Sequence, residues 1–433
     1  MTEVWKTALN QGLSPELHAM HRSIDFDWVL WPYDLSGSRV RMHMLRKVGL
    51  ISEADFETIQ TGLDSLETEL KQAVHQPQDR DEDVHGWLER LLCEKVGPIG
   101  ANLHTGRSRN EQVLLDVKLF LVDQVHQWIQ HMHRLTQQLA GLEQAAGETL
   151  LPAYTHLQRA QPIFLHQYWA AHRVTWQRRL DQLLAFFQRL RKECPMGAGA
   201  INASTLPLDY AFEAKMLGFE HASVSPLATV SLRSEWLEFS GLAVHWMLEV
   251  SRLLEDLILW NTREFGFLRF KNTVTTGSSM MPQKRNPDLC ELLRGKVSTA
   301  LGHYNGLLAL TKNLPMGYMK DLQEDKPMLF GICAQLDAFF VALPAILDGL
   351  ELQAETMIQA AGDPSLLATD LMEFLLAKGV PLRQAHHQVA EWVYQASNHP
   401  LGLPGVAKAA LPDLPEDFFE PIRSCRARLR PQT

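Results

Sequence analysis

Apolar positions recur every three or four residues over five long stretches of this chain, the spacing that turns one side of an α-helix inward. The first stretch runs from about Ser108 to Leu150, where Leu114, Val117, Leu121, Val125, Trp128, Met132, Leu135, Leu139 and Leu142 form a seam of near-heptad spacing. At ~1.5 Å per residue such a helix is roughly 60 Å long, and Pro152 is expected to end it. Its length and seam predict burial against further copies of the chain. A second stretch runs from about Phe164 to Arg191, a third from Ser234 to Thr262, a fourth from Pro287 to Lys312 and a fifth from Met328 to Leu352. Strand patterns are almost absent between them. Five long helices with few breakers predict an all-α protein built on a central bundle. Residues 1–106 carry shorter helical patterns, and 357–433 read as a small helical region with a Pro-rich tail, so three domains are expected: 1–106, 107–356 and 357–433.

Composition narrows the class. With 433 residues, 46% hydrophobic and 21% charged, the chain has the balance of an ordinary globular protein. A net charge of −9 argues against a general nucleic-acid binder. It leaves anionic small molecules open, because a local Arg/Lys cluster overrides the global sign. The five cysteines are far apart and form no Cys-x-x-Cys, as expected of reduced thiols in a cytoplasmic protein. Neither a signal peptide nor an apolar run of membrane length is expected. Glu82-x-x-His85 is the only motif of its kind, where a di-iron bundle needs two, so no metal and no organic cofactor are expected.

Four segments carry more polar chemistry than their local structure requires. Thr275-Thr276-Gly277-Ser278-Ser279-Met280-Met281-Pro282-Gln283-Lys284-Arg285-Asn286-Pro287-Asp288 joins the third and fourth helical patterns. Its first half is small, polar and glycine-hinged; its second half places Asn286 at a cap, Pro287 at the first helical position and Asp288 in the first turn. Hydroxyls, a lysine and an amide gathered near a helix N-terminus suit chemistry in which negative charge develops on a substrate. His104-Thr105-Gly106-Arg107-Ser108-Arg109-Asn110-Glu111 opens the longest helix. Ser108 and Glu111 make a capping box, and Arg107, Arg109 and Asn110 are surplus to it, a ready carboxylate site. Tyr154-Thr155-His156-Leu157-Gln158-Arg159-Ala160-Gln161-Pro162 bridges the first two long helices, and Tyr318-Met319-Lys320-Asp321-Leu322-Gln323-Glu324-Asp325-Lys326 precedes the fifth. Asp81-Glu82-Asp83-Val84-His85 reads as acid complementing the dipole of the helix it precedes.

Together these segments resemble the signatures of the argininosuccinate lyase family in the fumarase/aspartase superfamily. The loop matches Gly-Ser-Ser-x-Met-Pro-x-Lys-x-Asn, the longest helix opens on a run similar to His-Thr-Gly-Arg-Ser-Arg-Asn-Asp, and the bridge resembles Tyr-Thr-His-Leu-Gln-x-Ala-Gln-Pro. The similarity extends from about Ser23 to Gln388. It implies a homotetramer in which three subunits build each active site, and cleavage of argininosuccinate to arginine and fumarate by β-elimination. Ser278 is then the base, His156 the acid oriented by Glu291, and Lys284 and Asn286 stabilise the dianionic intermediate. The opposite assignment, His156 as base and Ser278 as acid, fits the same residues. Ser23, Arg109, Asn110, Thr155, Arg233, Tyr318, Gln323 and Lys326 are the implied substrate-binding residues.

Three departures bear on the substrate. The family's Trp-Gly-Gly-Arg-Phe is reduced to Val4-Trp5-Lys6-Thr7, its Ser-x-Arg-Asp segment reads Ser231-Leu232-Arg233-Ser234, and the chain ends at Thr433 before the family's Gly-Gly-Thr motif and last helix. Met319 also replaces an Asn. These departures leave two alternatives: a paralogue releasing fumarate from another N-substituted aspartate, or a silent scaffold like the lens δ-crystallins.

Overall fold

Helices account for nearly all the regular structure, as the periodicity predicts. The computed structural model describes residues 13–429, so the Val4–Thr7 remnant and the last four residues lie outside the described residues. The five long helices are Arg109–Ala146, Leu165–Leu190, Ser234–Trp260, Asp288–Thr311 and Asp325–Asp348. In the first, Leu114, Val117, Leu121, Val125, Trp128, Met132, Leu135 and Leu139 are all buried, each contributing about 1.5–3 kcal/mol. The seam is therefore satisfied inside one chain, and the inference from it to a partner copy fails. Apolar side chains that remain exposed lie instead on the other long helices: Val174, Leu184, Leu248, Leu292, Leu301, Leu308 and Val341.

Several boundaries differ from the sequence expectation for identifiable reasons. The first long helix ends at Ala146 because Gly147 turns left-handed (φ +50°), and Pro152 lies beyond it in a strand. Strands β1 (Leu150–Thr155) and β2 (Gln158–Phe164) form an antiparallel hairpin in which Pro152 faces Pro162. Two prolines read as turn punctuation, yet a two-stranded ribbon has two free edges and tolerates them. Strands β3 (Leu268–Phe270) and β6 (Leu350–Leu352) pair, as do β4 (Thr276–Gly277) and β5 (Arg285–Asn286). Asn286 is thus a strand residue opposite Thr276 rather than a helix cap, and the Pro287 carbonyl accepts the first bond of the helix, from Glu291 N–H. The last long helix begins at Asp325, and it carries Pro344 in its interior. Contrary to expectation, the run Lys320–Asp348 is long and apolar enough to cross a membrane by length and composition. Here it buries Leu329, Ile332, Leu336, Phe339, Leu343 and Ile346.

The chain divides into two compact units. One comprises residues up to 131 with 180–247 and 296–337. In its core the Trp128 ring meets Phe239 edge-on and lies 6.2 Å from Trp246. The other comprises 132–179, 248–295 and 338 onward, including all three small sheets. Within it, Leu371, Leu375, Val389, Trp392, Leu403, Val406 and Phe418 pack a core of their own. All five cysteines are free; Cys194, Cys290, Cys333 and Cys425 are buried.

Candidate active site

In the first unit a cavity of about 820 Å³ gathers Ser23, Arg109, Asn110, Tyr318, Gln323 and Lys326, six of the residues singled out in the sequence. Its wall carries five carboxylates (Asp27, Asp81, Glu82, Asp83, Glu89) and six cations (Arg80, Arg90, Arg107, Arg109, Lys320, Lys326). A cavity with both signs on its wall suits a ligand that is itself zwitterionic.

Arg109 and Asn110 reach the cavity because the longest helix starts there. Ser108 Oγ accepts from Asn110 N–H at 3.2 Å while Glu111 Oε1 accepts from Ser108 N–H at 3.2 Å, the reciprocal cap expected from the sequence. Arg109 Nε lies 3.1 Å from Asp83 Oδ2, and Asn110 Nδ2 donates to the Ala200 carbonyl at 3.0 Å. Glu111 does more than cap. Fully buried, its Oε2 accepts from Gly197 N–H at 2.9 Å and Gly199 N–H at 2.7 Å, and Oε1 lies 3.5 Å from Arg41. It docks the 197–200 loop whose Ala200 carbonyl then orients Asn110. Only the long-range partner reveals this role, and no local pattern carries it.

Ser23 Oγ donates to Asp27 Oδ2 at 2.6 Å, and Asp27 Oδ1 accepts from Val84 N–H at 3.0 Å. Burial, reinforced by the charge of Asp83, pushes the Asp27 carboxyl up to about 6. Asp83 caps the next helix through Gly86 N–H at 2.7 Å, so the acidic run does serve a helix start. His85 goes further. Its Nδ1 lies 2.5 Å from Asp34 Oδ2 and 3.3 Å from Asp116 Oδ2, all three buried. Burial alone would lower His85, but the hydrogen bonds to Asp116 and Asp34 prevail and push it up to about 10. Their ligand atoms lie within 4.8 Å of one another, a spacing open to a cation. An imidazolium, however, fills the cluster with its own proton and charge.

Before the last long helix, Gln323 Nε2 donates to the His21 carbonyl at 3.3 Å, and burial pushes the Tyr318 hydroxyl up to about 12. Asp325 links Lys326 (3.3 Å) to Arg233 (2.5 Å). Burial would raise this carboxyl, but Lys326 and Arg233 hold it below its ordinary range. Arg233 is buried, donates also to the Leu232 carbonyl at 3.0 Å, and is absent from the cavity lining. Arg233 thus holds Asp325 in place behind the cavity wall. Arg107, surplus to the cap in the sequence, lines the cavity as well, and Asp27, Asp83, His85 and Lys320 line it without having been singled out for it. Their signal was the clustering of Asp81–His85 beside a segment already flagged.

The remaining flagged residues lie in the second unit, on two hairpins and, for Glu291, on the helix that follows the second. Thr155 pairs with Gln158, leaving His156 and Leu157 as a two-residue turn with φ +54° and +56°. This left-handed pair normally takes Asn-Gly; His and Leu adopt it at a cost of order 1–2 kcal/mol each. All three of Thr155, His156 and Leu157 are exposed. On the β4–β5 hairpin, Ser278 Oγ accepts from Met280 N–H at 3.2 Å and Met281 N–H at 2.9 Å, and Lys284 N–H donates to the Met281 carbonyl at 3.0 Å. Ser278 is therefore the serine of the pair whose hydroxyl bonds the loop backbone. Glu291 is exposed one turn into the following helix and, among the described residues, makes no ion pair with His156 of the same chain.

With this geometry in place, comparison with known proteins identifies its kin. A lyase family model matches residues 13–302, and a model of the argininosuccinate lyase C-terminal region matches 365–424. An argininosuccinate lyase of Synechococcus sp. (strain JA-3-3Ab) is 41% identical over 393 residues, covering 90% of this chain and 80% of that relative. One from Legionella pneumophila subsp. pneumophila (strain Philadelphia 1) is 38% identical over 395 residues, covering 91% and 96%. Among solved structures, EDDS lyase in complex with formate matches with a TM-score of 0.81 at 24% identity, covering 92% of this chain and 82% of that one. A class II fumarase from Schistosoma mansoni gives 0.80 at 17% identity, covering 96% of each, so the fold is the fumarase type. By its matched regions and its relatives, the chain belongs to the argininosuccinate lyase family.

Proposed function

We propose that the protein is a lyase that cleaves argininosuccinate into arginine and fumarate by β-elimination. The observation that carries this reading is the convergence of Ser23, Arg109, Asn110, Tyr318, Gln323 and Lys326, from segments far apart in sequence, on one cavity with walls of both signs. Argininosuccinate presents carboxylates for Arg109 and Lys326 and cationic groups for the acidic wall. A base removes the proton from the carbon beside the succinyl carboxylate, leaving an aci-carboxylate dianion. Collapse of that dianion expels the guanidino nitrogen, which takes a proton from the acid, and fumarate forms.

Ser278 is the base in this reading. A hydroxyl ionises only where its alkoxide is stabilised, and two backbone N–H groups already point at Ser278 Oγ, with Lys284 on the same loop. His156, displayed at a strained turn, is the acid, and Lys284 and Asn286 stabilise the dianion. Thr155, His156, Ser278, Lys284, Asn286 and Glu291 are absent from the residues lining the cavity. We propose that copies of the chain bring these hairpins together in a cytoplasmic homotetramer, in which Glu291 of one copy serves His156 of another. The exposed leucines and valines of four long helices support that assembly. In this reading the 1–106, 107–356 and 357–433 segments are the three domains of each subunit, with no metal or cofactor in the reaction.

The test is turnover of argininosuccinate against adenylosuccinate and aspartate, followed by fumarate absorbance, with light scattering on the same sample. Fumarate from argininosuccinate alone, by a tetramer, is expected. Preference for another N-substituted aspartate would select the paralogue reading, and a monomer at micromolar concentration would sink the shared site.

A further inference from the structure

The second unit holds a separate cavity of about 620 Å³ whose lining includes three arginines, Arg159, Arg263 and Arg269, and one acid, Glu264. We infer that it is a binding site for a small dianion, a phosphate or a dicarboxylate, distinct from the active site proposed above. Among the described residues, the side chains of Arg263 and Arg269 have no ion-pair or hydrogen-bond partner, although Glu351 sits opposite Arg269 in the strand register. Arg159 makes a single bond, to the Ala360 carbonyl at 3.5 Å, the outer limit for one. Three arginines, all exposed, concentrate positive charge on one concavity, and their planar forks match phosphate and carboxylate oxygens. Thr356 and Gln359 add neutral donors to the same wall.

The wall is fixed before any ligand arrives. The loop that follows the third long helix is pinned at both ends, by Asn261 N–H to the Leu257 carbonyl at 3.1 Å and Phe267 N–H to the Trp260 carbonyl at 3.0 Å. Gly266, at φ +63°, lets it turn between them. Phe267 is buried and meets the half-buried Phe265 edge-on, and the Tyr154 ring lies tilted 5.4 Å from the Phe265 ring. Tyr154 pairs across the ribbon with Arg159, so an anion held by Arg159 sits on the strand leading back to the His156 turn. Any effect on turnover through that strand rests on the function proposed above; binding does not.

The experiment is isothermal titration of the full-length protein with inorganic phosphate and with succinate, ionic strength matched with chloride. The double variant Arg263→Gln/Arg269→Gln and the charge-keeping Arg263→Lys/Arg269→Lys are titrated alongside. The wild type is expected to show a saturable heat that the glutamine pair weakens by tenfold or more and the lysine pair, which keeps the charge but not the fork, weakens less. Whichever probe binds tighter names the ligand as phosphate or carboxylate. Because the active-site cavity is partly cationic, the signal read is the component lost in the glutamine pair, whose turnover should persist. No saturable heat in the wild type, equal binding in the glutamine pair, or equal loss in both pairs would overturn the site.

Discussion

Replacing Asp27 by asparagine should make the protein more stable at neutral pH. Asp27 is 1% exposed, and its carboxyl is raised from 3.8 to about 6, chiefly by burial and next by the charge of Asp83. An acid whose pKa rises on folding binds more protons folded than unfolded, so the stability it leaves intact below about pH 4 is lost as pH climbs through about 6. At about 1.4 kcal/mol per pKa unit, the loss approaches about 3 kcal/mol by pH 7.5 and is about 1.5 kcal/mol at pH 5. Asp27→Asn removes the charge and keeps the geometry. Its carbonyl can still accept from Val84 N–H, and its amide nitrogen takes the position 2.6 Å from Ser23 Oγ, whose hydroxyl turns from donor to acceptor. Urea midpoints followed by circular dichroism at half-unit steps from pH 5 to 8 should show a variant advantage that doubles across the range and levels off above pH 7. A variant no more stable at pH 7.5, or an advantage flat with pH, would refute the claim that burying this charge is costly.

Three further outcomes are expected. Lys284→Met should lower kcat by about 100-fold or more with little change in KM, whereas a lysine that merely supports its loop would lower the melting temperature and leave turnover per folded enzyme intact. Ser278→Ala should abolish single-turnover exchange of the succinyl Cβ proton with solvent. His156→Asn should keep that exchange while slowing turnover by about 10²–10⁴-fold; the reverse pattern would exchange the two roles. Glu111→Ala should destabilise by about 3–5 kcal/mol in denaturant titrations, because it strands two glycine N–H groups in the interior and leaves Arg41 with Glu213 alone as its buried counter-charge. A loss below about 1 kcal/mol would mean that the 197–200 loop holds itself.

The long helices were legible because a 3.6-residue period survives any tertiary context, and eight seam positions from Leu114 to Leu139 are buried as their spacing requires. What covers a seam is not written in its period, so the first helix pointed to partner copies while its own chain already encloses it. The β1–β2 ribbon was hidden because Pro152 and Pro162 read as breakers, and their facing each other across a ladder is a long-range fact. Glu111 shows the same limit. Its place in a capping box was plain, but the bonds to Gly197 and Gly199 span almost ninety residues of sequence. In the cavity, Arg109, Asn110, Tyr318, Gln323 and Lys326 were found through motifs. Asp27 and His85 were passed over because an isolated acid or imidazole looks ordinary until its burial is known. Arg233 was chosen by motif, and its bond to Asp325, ninety-two residues away, is a long-range fact that no motif carries.

The state of the cysteines has a practical consequence for watching the His156 hairpin. Burial pushes Cys194 and Cys290 up to about 12 and Cys425 up to about 11, and it raises Cys333 and Cys93 as well. The thiolate is the reacting species, so near neutral pH the native chain is close to mute toward maleimides and disulfide reagents. A single cysteine placed by Leu157→Cys, at a turn position 66% exposed, would react far ahead of all five natural ones. A fluorophore or spin label can therefore be written onto the hairpin tip of the otherwise unaltered sequence, and its mobility read directly as substrate is added.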